Sequence, residues 1–456
     1  MNNTNNHHTP RQQLQAAKEL TSELLFQETL LGSFIYYLSL IIFILGLVTI
    51  LFLSGFIITI IVLIILWCSC LTYLFYFNYG EPSSFQDLPL DIKQILRFIS
   101  VFMSTIYKLP SYAPLIIPYL SSSLNYRNSK DDNLFKDIKY NKFNNLDIYS
   151  TVKPLPNKLS AVIVFVYGGA WSSGDKSIYQ LIGRKYQNMG YTVVILNYSW
   201  YPKGTIELMI SNINDGVNWV RNNIHNFGGD PEQITLIGHS AGAHLCLSVH
   251  LLKVISRLDF DQLEQNPEVQ ASGMKLSALS NLKSVNLWLK KDFKQFQTIL
   301  EDSDELETIK LDKIILISGV YNIQNHFSFE SYRGIEFLSA MARAMGNRNS
   351  TRSRIRASPS AWLTWLGDLE LMNEVTEALP NKGLTLLHGE QDATVPYSSS
   401  ELLFYQLKRL MSITDQEHLL QFYLTPEMDH TDPNFGLMLN NHKFSPLMEE
   451  LLPSKL

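Results

Sequence analysis

The pentapeptide GHSAG at residues 238–242 constrains the fold more than any other feature of the chain, because of what lies on either side of it. Residues 234–237 (ITLI) have the character of a buried strand, and residues 243–252 (AHLCLSVHLL) that of a helix. A serine at such a strand-to-helix turn adopts a strained backbone, and glycine two positions away on each side avoids a clash. The pattern therefore predicts a strand, a sharp turn that presents Ser240, and a helix.

The same alternation of apolar strands and helices continues through residues 141–456. Strands are predicted at 146–150, 161–167, 191–198, 234–237 and 313–321, with two more that begin at 384 and 421. Near-continuous apolar strands separated by helices are typical of a mostly parallel, doubly wound sheet that is covered on both faces. Two longer stretches, near 253–310 and 321–380, exceed what one connection needs and are predicted to be insertions.

Ser240 needs a base to act as a nucleophile, and the chain offers one in a suitable place. When a GxSxG turn carries a catalytic triad, the acid and then the histidine follow the serine along the chain. Asp392 follows the strand that begins at 384, and His430 follows the last strand. Glu390 and Asp429 are rival acids, but Asp429 adjoins His430 in sequence, a poor geometry for orienting its ring. These residues predict an α/β-hydrolase fold with Ser240, His430 and Asp392 as the catalytic residues.

The segment VIVFVYGGAWSSGDK, residues 162–176, places a glycine pair at the end of a buried strand. Attack by a serine generates an oxyanion, and removal of one donor aimed at it typically costs about 2.7–4 kcal/mol. One such donor is the amide after the nucleophile, which belongs to Ala241. Gly169 and Ala170 are the other expected donors, since glycine lets the backbone approach closely. The sequence thus predicts an oxyanion hole formed by these three amides.

The N-terminal region differs in character, because residues 29–80 contain no Asp, Glu, Lys or Arg. One membrane-spanning helix needs about 20 residues, so the run fits two helices, residues 33–53 and 56–77, that turn at Ser54-Gly55. The alternatives are one very long helix or a buried helix of a soluble core. Basic residues flank the run only on its outer sides, which predicts a hairpin with both ends in the cytosol. These flanking residues are Arg11, Lys18, Lys93 and Arg97.

Two further segments complete the domain prediction. Residues 1–28 are expected to be a disordered polar tail, and residues 81–140 a juxtamembrane segment. Apolar residues at helical spacing over 95–103 indicate an amphipathic helix that lies either on the membrane surface or on the catalytic domain. Pro110, Pro114 and Pro118 are then expected to end regular structure.

Composition excludes several classes of function. A net charge of −5 with 17% charged residues argues against a nucleic-acid partner. Three cysteines, Cys68, Cys70 and Cys246, indicate no disulfide framework. No cofactor or metal is expected, because the only adjacent histidines, His7 and His8, lie in the polar tail. A basic run over 343–356 is either a solvated loop or a contact for anionic lipid.

Longer motifs resemble one family of esterases. The chain contains VYGGAWSSGDK, LNYSWYPKGTIELMISNINDGVNWVRNNIHNFGGDPEQITLIGHSAGAH and HGEQDATVPYSSS, and these are similar to the isoprenylcysteine α-carbonyl methylesterases. The resemblance implies an α/β-hydrolase that removes the methyl ester from prenylated proteins, with membrane lipid as a second partner. It implies catalytic roles for Ser240, Asp392 and His430. Tyr167 stands where the wider esterase group has the histidine of a His-Gly-Gly motif. This difference leaves the backbone donors intact.

The resemblance also implies a location, the membranes of the endoplasmic reticulum and Golgi apparatus, with the catalytic domain facing the cytosol. The C-terminal Ser-Lys-Leu indicates an alternative, a peroxisomal address. Two other functions stay open at this point: a general carboxylesterase or lipid deacylase of the same fold, and a non-catalytic membrane receptor. The prenyl group, the role of the insertions and the oligomeric state are not determined by the sequence.

Overall fold

A computed structural model describes residues 31–47, 60, 62–67, 70, 92–128, 131–152, 158–296, 311–336, 338–347, 349–412 and 416–452. The chain divides into two compact units, Met1–Ser100 and Val101–Leu456. The predicted polar tail, the turn of the predicted hairpin and the C-terminal Ser-Lys-Leu lie outside the described residues.

The second unit contains an eight-stranded sheet. Its strands are β1 Leu134–Lys139, β2 Asn145–Tyr149, β3 Ser160–Val166, β4 Thr192–Leu196, β5 Gly229–His239, β6 Lys313–Ile317, β7 Leu384–Gly389 and β8 Leu420–Thr425. They are arranged in the order β1-β2-β4-β3-β5-β6-β7-β8. β2 is antiparallel to both of its neighbours, and β3 to β8 pair in parallel. This is the sheet of an α/β hydrolase, so the predicted fold of the catalytic domain is confirmed.

The apolar strands predicted from the sequence form the centre of this sheet. Residues 162–166 of β3 are all fully buried, although successive side chains of a strand point to opposite faces. Both faces of the sheet are therefore covered. The sequence missed β1, an edge strand in which exposed and buried positions alternate and which carries Lys136, Asp137 and Lys139. The sheet thus begins before residue 141, the boundary expected for the catalytic domain.

Sixteen helices lie among the residues described from 92 onward. In chain order they are α1 Ile92–Lys108, α2 Ala113–Asn128, α3 Gln180–Asn188, α4 Ile206–Asn223, α5 Ala241–Ser256, α6 Phe260–Gln265, α7 Pro267–Ala271, α8 Gly273–Phe296, α9 Ile323–Arg333, α10 Met341–Ala344, α11 Thr351–Arg356, α12 Pro359–Asp368, α13 Met372–Glu377, α14 Ser398–Met411, α15 Asp432–Met438 and α16 Ser445–Glu450. Short 3-10 helices lie at Leu109–Tyr112, Lys176–Tyr179, Ile224–Phe227 and Glu417–Leu419.

Both predicted insertions are helical where the structure describes them. In the first, α8 buries Leu282 and Val285 and packs against α4 and α12. The second insertion contains α9 to α13. Two arginines of its basic run contact other residues of the domain. Arg354 is buried with its guanidinium 4.0 Å from the centre of the Phe327 ring, and Arg356 contacts Glu207.

The segment before the sheet is more regular than the sequence indicated. The amphipathic helix predicted over 95–103 lies within α1. The expectation that three prolines end regular structure is wrong, because Pro110 and Pro114 lie in the first turns of helices, where proline is tolerated, and Pro118 lies inside α2. Residues 31–47 are helical. No helix among the described residues is long and apolar enough to cross a membrane.

Candidate active site

The turn between β5 and α5 presents Ser240 in a strained conformation. Its backbone angles are φ 55° and ψ −122°, in a region that residues other than glycine rarely adopt. The glycines on either side are required by close contacts: a Cβ at position 242 would lie 2.1 Å from the carbonyl oxygen of Val166 on β3, and one at 238 would lie 2.6 Å from Cα of Ala243. The sequence pattern predicted this turn, and the structure contains it.

The structure brings Ser240, His430 and Asp392 into one hydrogen-bonded chain. His430 Nδ1 lies 2.6 Å from Oδ2 of Asp392, and His430 Nε2 lies 3.0 Å from Oγ of Ser240. Because a carboxylate only accepts hydrogen bonds, Nδ1–H is the donor to Asp392. In the neutral ring Nε2 then accepts from the Ser240 hydroxyl. This tautomer leaves Nε2 free to take the proton of the serine.

Asp392 is held as a carboxylate by several donors. Its Oδ1 accepts hydrogen bonds from the amides of Thr394 and Val395 at 2.9 and 2.8 Å. Burial alone would raise its pKa, but the hydrogen bonds and charges of His388 and His430 outweigh burial and leave the pKa lowered. His388 Nε2 lies 3.2 Å from Oδ2 of Asp392. The carboxylate is therefore ionised at neutral pH and can orient His430.

The two rival acids do not contact the ring of His430 in this way. Glu390 is exposed. Asp429 instead organises its own turn: its Oδ1 accepts from the amides of Thr431 and Asp432, and its Oδ2 lies 2.9 Å from Nζ of Lys108. This ion pair joins the last residue of α1 to the loop that carries His430.

Two neighbouring histidines support the site, and the sequence analysis did not identify either of them. His239, the residue before the nucleophile, donates Nε2–H to the carbonyl oxygen of His430 at 2.9 Å. Burial lowers the pKa of His239 to about 3, so it remains neutral and keeps this bond over the physiological range. His388 contacts Asp392 and bonds Oγ of Ser400 at 2.7 Å. The only signal that could have revealed them is their position next to Ser240 and on the strand that leads to Asp392.

The loop after β3 lies directly against the nucleophile. A Cβ at Gly168 would lie 2.7 Å from Cβ of Ser240. Gly169 has φ 134°, and Ala170 and Trp171 have φ 49° and 56°, so three consecutive residues adopt positive φ. Within the described part of the chain, the amides of Gly169, Ala170 and Ala241 have no hydrogen-bond acceptor. These amides remain available for an oxyanion, and their role as its donors stays a prediction.

Tyr167 and Trp171 hold this loop in place. The Tyr167 hydroxyl donates to Oδ1 of Asn197 at 2.9 Å, and its ring stacks on Tyr179 and Tyr198. Tyr167 is thus a buried packing residue. Trp171 Nε1–H donates to Nδ1 of His244 on α5 at 3.2 Å. The loop is therefore fastened to the helix that begins at the nucleophile.

Among the described residues, no group of three or more His, Cys, Asp or Glu side chains could hold a metal ion.

Comparison with known proteins gives one family and several curated relatives. The BD-FAE family model matches residues 146–407. The probable isoprenylcysteine alpha-carbonyl methylesterase ICME of Oryza sativa subsp. japonica is 30% identical over 325 residues, which cover 69% of this chain and 64% of that protein. The isoprenylcysteine alpha-carbonyl methylesterase ICME of Arabidopsis thaliana is 37% identical over 161 residues, 33% of this chain and 36% of that protein.

Esterase LipQ of Mycobacterium tuberculosis is also similar, at 39% identity over 114 residues that cover 24% of this chain and 27% of that protein. The chain therefore spans less than two thirds of the length of these curated relatives.

Proposed function

The chain belongs to the BD-FAE family, and we propose that it is a serine esterase that hydrolyses the methyl ester of a carboxyl-terminal isoprenylcysteine. The observation that carries the proposal is the hydrogen-bonded chain of Ser240, His430 and Asp392. Similarity to two proteins named isoprenylcysteine alpha-carbonyl methylesterases supports the choice of substrate. The substrate is a prenylated protein or a prenylcysteine methyl ester.

In the first half of the reaction, Ser240 Oγ attacks the ester carbonyl carbon while His430 Nε2 takes the hydroxyl proton. The imidazolium that forms is stabilised by the Asp392 carboxylate. The new oxyanion accepts hydrogen bonds from the amides of Gly169, Ala170 and Ala241. When the tetrahedral intermediate collapses, the bond to the methoxy oxygen breaks, His430 returns the proton to that oxygen, and methanol leaves an acyl-enzyme.

In the second half, water replaces methanol. His430 Nε2 takes a proton from the water as its oxygen attacks the acyl carbon. Collapse of the second intermediate breaks the bond to Ser240 Oγ, which recovers its proton from His430. The products are the free carboxyl group of the prenylcysteine and the regenerated serine.

Membrane attachment is part of the proposal, and two features support it. The first is the charge-free run of residues 29–80 with its predicted helical hairpin. The second is a set of exposed apolar side chains on α1, α2 and the 3-10 helix between them. They are Met103, Ile106, Tyr107, Leu109, Ile116, Ile117, Leu120 and Leu124. Exposed apolar side chains of this kind commonly mark contact with lipid or protein. A bilayer contact here would adjoin the ion pair between Lys108 and Asp429, next to the catalytic histidine.

The proposed location is the membrane of the endoplasmic reticulum and Golgi apparatus, multi-pass, with the catalytic domain facing the cytosol. The basic residues outside the charge-free run and the family resemblance support this. The terminal Ser-Lys-Leu favours peroxisomes instead. Imaging of the tagged chain with and without its last three residues tests the choice: peroxisomal signal that depends on these residues contradicts the first location.

A general carboxylesterase is the second candidate, because the similarity to esterase LipQ supports it. Such an enzyme would use the same residues on simpler esters. Comparable turnover of N-acetyl-S-farnesylcysteine methyl ester and of short acyl esters would favour this candidate over the methylesterase.

The decisive experiment measures methanol release from N-acetyl-S-farnesylcysteine methyl ester by the full chain in detergent. Ser240→Ala is expected to lower kcat on the order of 10⁶-fold, since loss of the nucleophile removes the covalent route. Unchanged methanol release in the variant contradicts the mechanism. Labelling of the wild type at Ser240 by a fluorophosphonate tests whether the site is reactive, and no labelling would favour a non-catalytic receptor.

A further inference from the structure

A groove opens at the same edge of the sheet as Ser240. It has a volume of about 770 Å³, and its lining includes Tyr321 from the loop after β6, His326 from α9 and Pro396 from the loop after β7. β6 lies between β5, which leads to Ser240, and β7, which leads to Asp392. In sheets of this kind, ligands bind beyond the carboxyl ends of the strands. The groove therefore opens at the edge of the sheet that carries Ser240 and Asp392, although neither of them nor His430 lines it.

From this edge the groove runs between two helices, α12 and α14. It is lined by side chains of α14 from Ser398 to Gln406, a stretch of nine residues whose ends lie about 12 Å apart along the helix axis. Its apolar lining residues are Phe329, Ile355, Ala361, Trp365, Leu402 and Leu403. Leu402 is 59% exposed, although it is a large apolar side chain on a helix of the catalytic domain. The lining also includes polar side chains, among them Asn322, Gln324, Asn325, Ser358 and Ser399, so apolar side chains form part of an open groove wall.

A polar bridge ends this apolar stretch. Gln406 Nε2 donates to Oγ1 of Thr364 at 2.9 Å and to the carbonyl oxygen of Ser360 at 2.8 Å. Beyond the bridge lies a second cavity of about 760 Å³ that shares Thr364 and Gln406 with the first. It is lined by charged residues that include Asp368 and Arg409. The two cavities therefore meet at the bridge between α12 and α14.

The end of the groove near the catalytic residues carries an unused polar group. His326 is buried, and its Nδ1 has no hydrogen-bond partner among the described residues. Burial, and then the charge of His430, lower the pKa of His326 to about 4, so it is neutral at physiological pH. The charges of both His430 and Asp392 act on the His326 ring. A buried nitrogen without a partner at this point is suited to a polar atom of a bound substrate.

We infer that this groove binds the isoprenyl chain of the substrate, and that the bridge between Gln406 and Thr364 limits the length of chain it accepts. The inference rests on the proposed methylesterase function. In the substrate, the isoprenyl chain is joined to the carbonyl carbon through Cα, Cβ and sulfur, so it must begin a few bonds from Ser240 Oγ. The groove starts at the catalytic edge, has apolar side chains in its wall and continues along a helix, as a linear hydrocarbon requires.

The first experiment fills the groove. Ala361, a half-buried residue of α12, is replaced by phenylalanine, and Ala271→Phe, at an exposed position outside the groove lining, is the matched control. Ala361→Phe is expected to lower kcat/KM for N-acetyl-S-farnesylcysteine methyl ester about tenfold or more, while hydrolysis of p-nitrophenyl acetate stays within about twofold of the control. An equal loss on both esters, or no loss on either, overturns the inference.

The second experiment moves the end of the groove, and it keeps the inference testable if Ala361→Phe fails to fold. Gln406→Ala removes the bridge, whereas Gln406→Leu keeps a side chain of similar length. The ratio of kcat/KM for the S-geranylgeranyl ester to that for the S-farnesyl ester is expected to rise about fivefold in Gln406→Ala, and to stay within about twofold of wild type in Gln406→Leu. An unchanged ratio in Gln406→Ala overturns the limit on chain length.

The proposed function and the role of the groove can be contradicted separately. A wild type that hydrolyses p-nitrophenyl acetate but neither prenylcysteine ester contradicts the proposed function, and with it the groove. A wild type that hydrolyses both prenylcysteine esters, with an Ala361→Phe variant that behaves like Ala271→Phe, contradicts the groove alone.

Discussion

Four imidazole rings lie in the region around Ser240, those of His239, His244, His388 and His430. Both nitrogens of each ring form hydrogen bonds. On α9, at the start of the groove, His326 Nδ1 has no partner among the described residues, and neither does Oε2 of Glu330 one turn further along. The hydrogen bonds of the four rings set their tautomers. His326 and Glu330 on α9 are buried, but each has one polar atom without a hydrogen-bond partner among the described residues.

The electrostatics of the two regions differ accordingly. Near the catalytic serine, hydrogen bonds overcome burial and keep Asp392 ionised, with its pKa lowered. On α9, burial dominates and raises the pKa of Glu330 to about 8. His326 and Glu330 are therefore both uncharged at pH 7, and their contact at 3.7 Å is not an ion pair there. Around Ser240 the polar groups have hydrogen-bond partners, and the ionised Asp392 orients His430. On α9, His326 Nδ1 has no partner among the described residues and remains available to a ligand.

The largest effect that tests this comparison is expected from Asp392→Asn. An amide can donate to His430 Nδ1 and favour the wrong tautomer, so kcat for ester hydrolysis is expected to fall about 10⁴-fold. Glu390→Gln, at an exposed carboxyl two residues away, is the matched control and is expected to leave kcat unchanged. A similar loss in both variants would show that Asp392 is not the acid.

The next effect concerns the close approach of the loop after β3. A methyl group at Gly168 would lie 2.7 Å from Cβ of Ser240 and 2.9 Å from the carbonyl oxygen of His239, so the loop or the turn must move. Gly168→Ala is expected to lower kcat about 10²–10³-fold, as expected when oxyanion donors are displaced. Gly273→Ala, where a Cβ meets nothing within 4 Å, is the control. Full activity of Gly168→Ala would mean that the loop does not position those donors.

A smaller effect, on stability, is expected from Glu330 on α9. Its folded-state pKa is raised to about 8 by burial, so between the unfolded pKa and pH 8 the folded state holds a proton that the unfolded state releases. The free energy of unfolding of the wild type therefore falls by up to about 1.4 kcal/mol per pH unit between about pH 4.3 and 8. Glu330→Gln is expected to remove this contribution to the pH dependence of the free energy of unfolding.

The measurement is denaturant unfolding of both proteins at pH 5 and pH 7.5. Glu374→Gln, at an exposed position of α13, controls for the change in net charge. A stability difference between wild type and Glu330→Gln that is the same at both pH values would show that Glu330 is ionised in the folded protein.

The smallest effect is expected at the ion pair between Lys108 and Asp429. Because their side chains are 40% and 23% exposed, Lys108→Met is expected to lower the free energy of unfolding by about 0–1 kcal/mol. The difference should shrink in 1 M salt, where such charges are screened. Lys142→Met, at an exposed lysine before β2, is the control. If Lys108→Met instead lowers kcat for ester hydrolysis strongly and leaves the free energy of unfolding unchanged, the pair positions the loop that carries His430.

Much of the catalytic edge could be predicted from the sequence, for a local reason. Ser240 lies in a turn that requires glycine at fixed positions, and Asp392 and His430 directly follow strongly apolar strands. Each of these signals is carried by a few consecutive residues. β1 was missed because an edge strand with alternating polar residues lacks such a signal. The rivalry between Asp392 and Asp429 could not be resolved locally, since it depends on which side chain reaches the His430 ring.

The sequence by itself thus determined the strands β2 to β8, the turn at Ser240 and the short list of candidate catalytic residues, because local periodicity and turn chemistry are properties of neighbouring residues. Only the tertiary structure decided that His239 holds the backbone of His430, that Lys108 reaches Asp429, and that α12 and α14 leave a groove beside the catalytic edge. These contacts join residues far apart in the chain. Their geometry depends on how the helices pack on the sheet, which no short segment encodes.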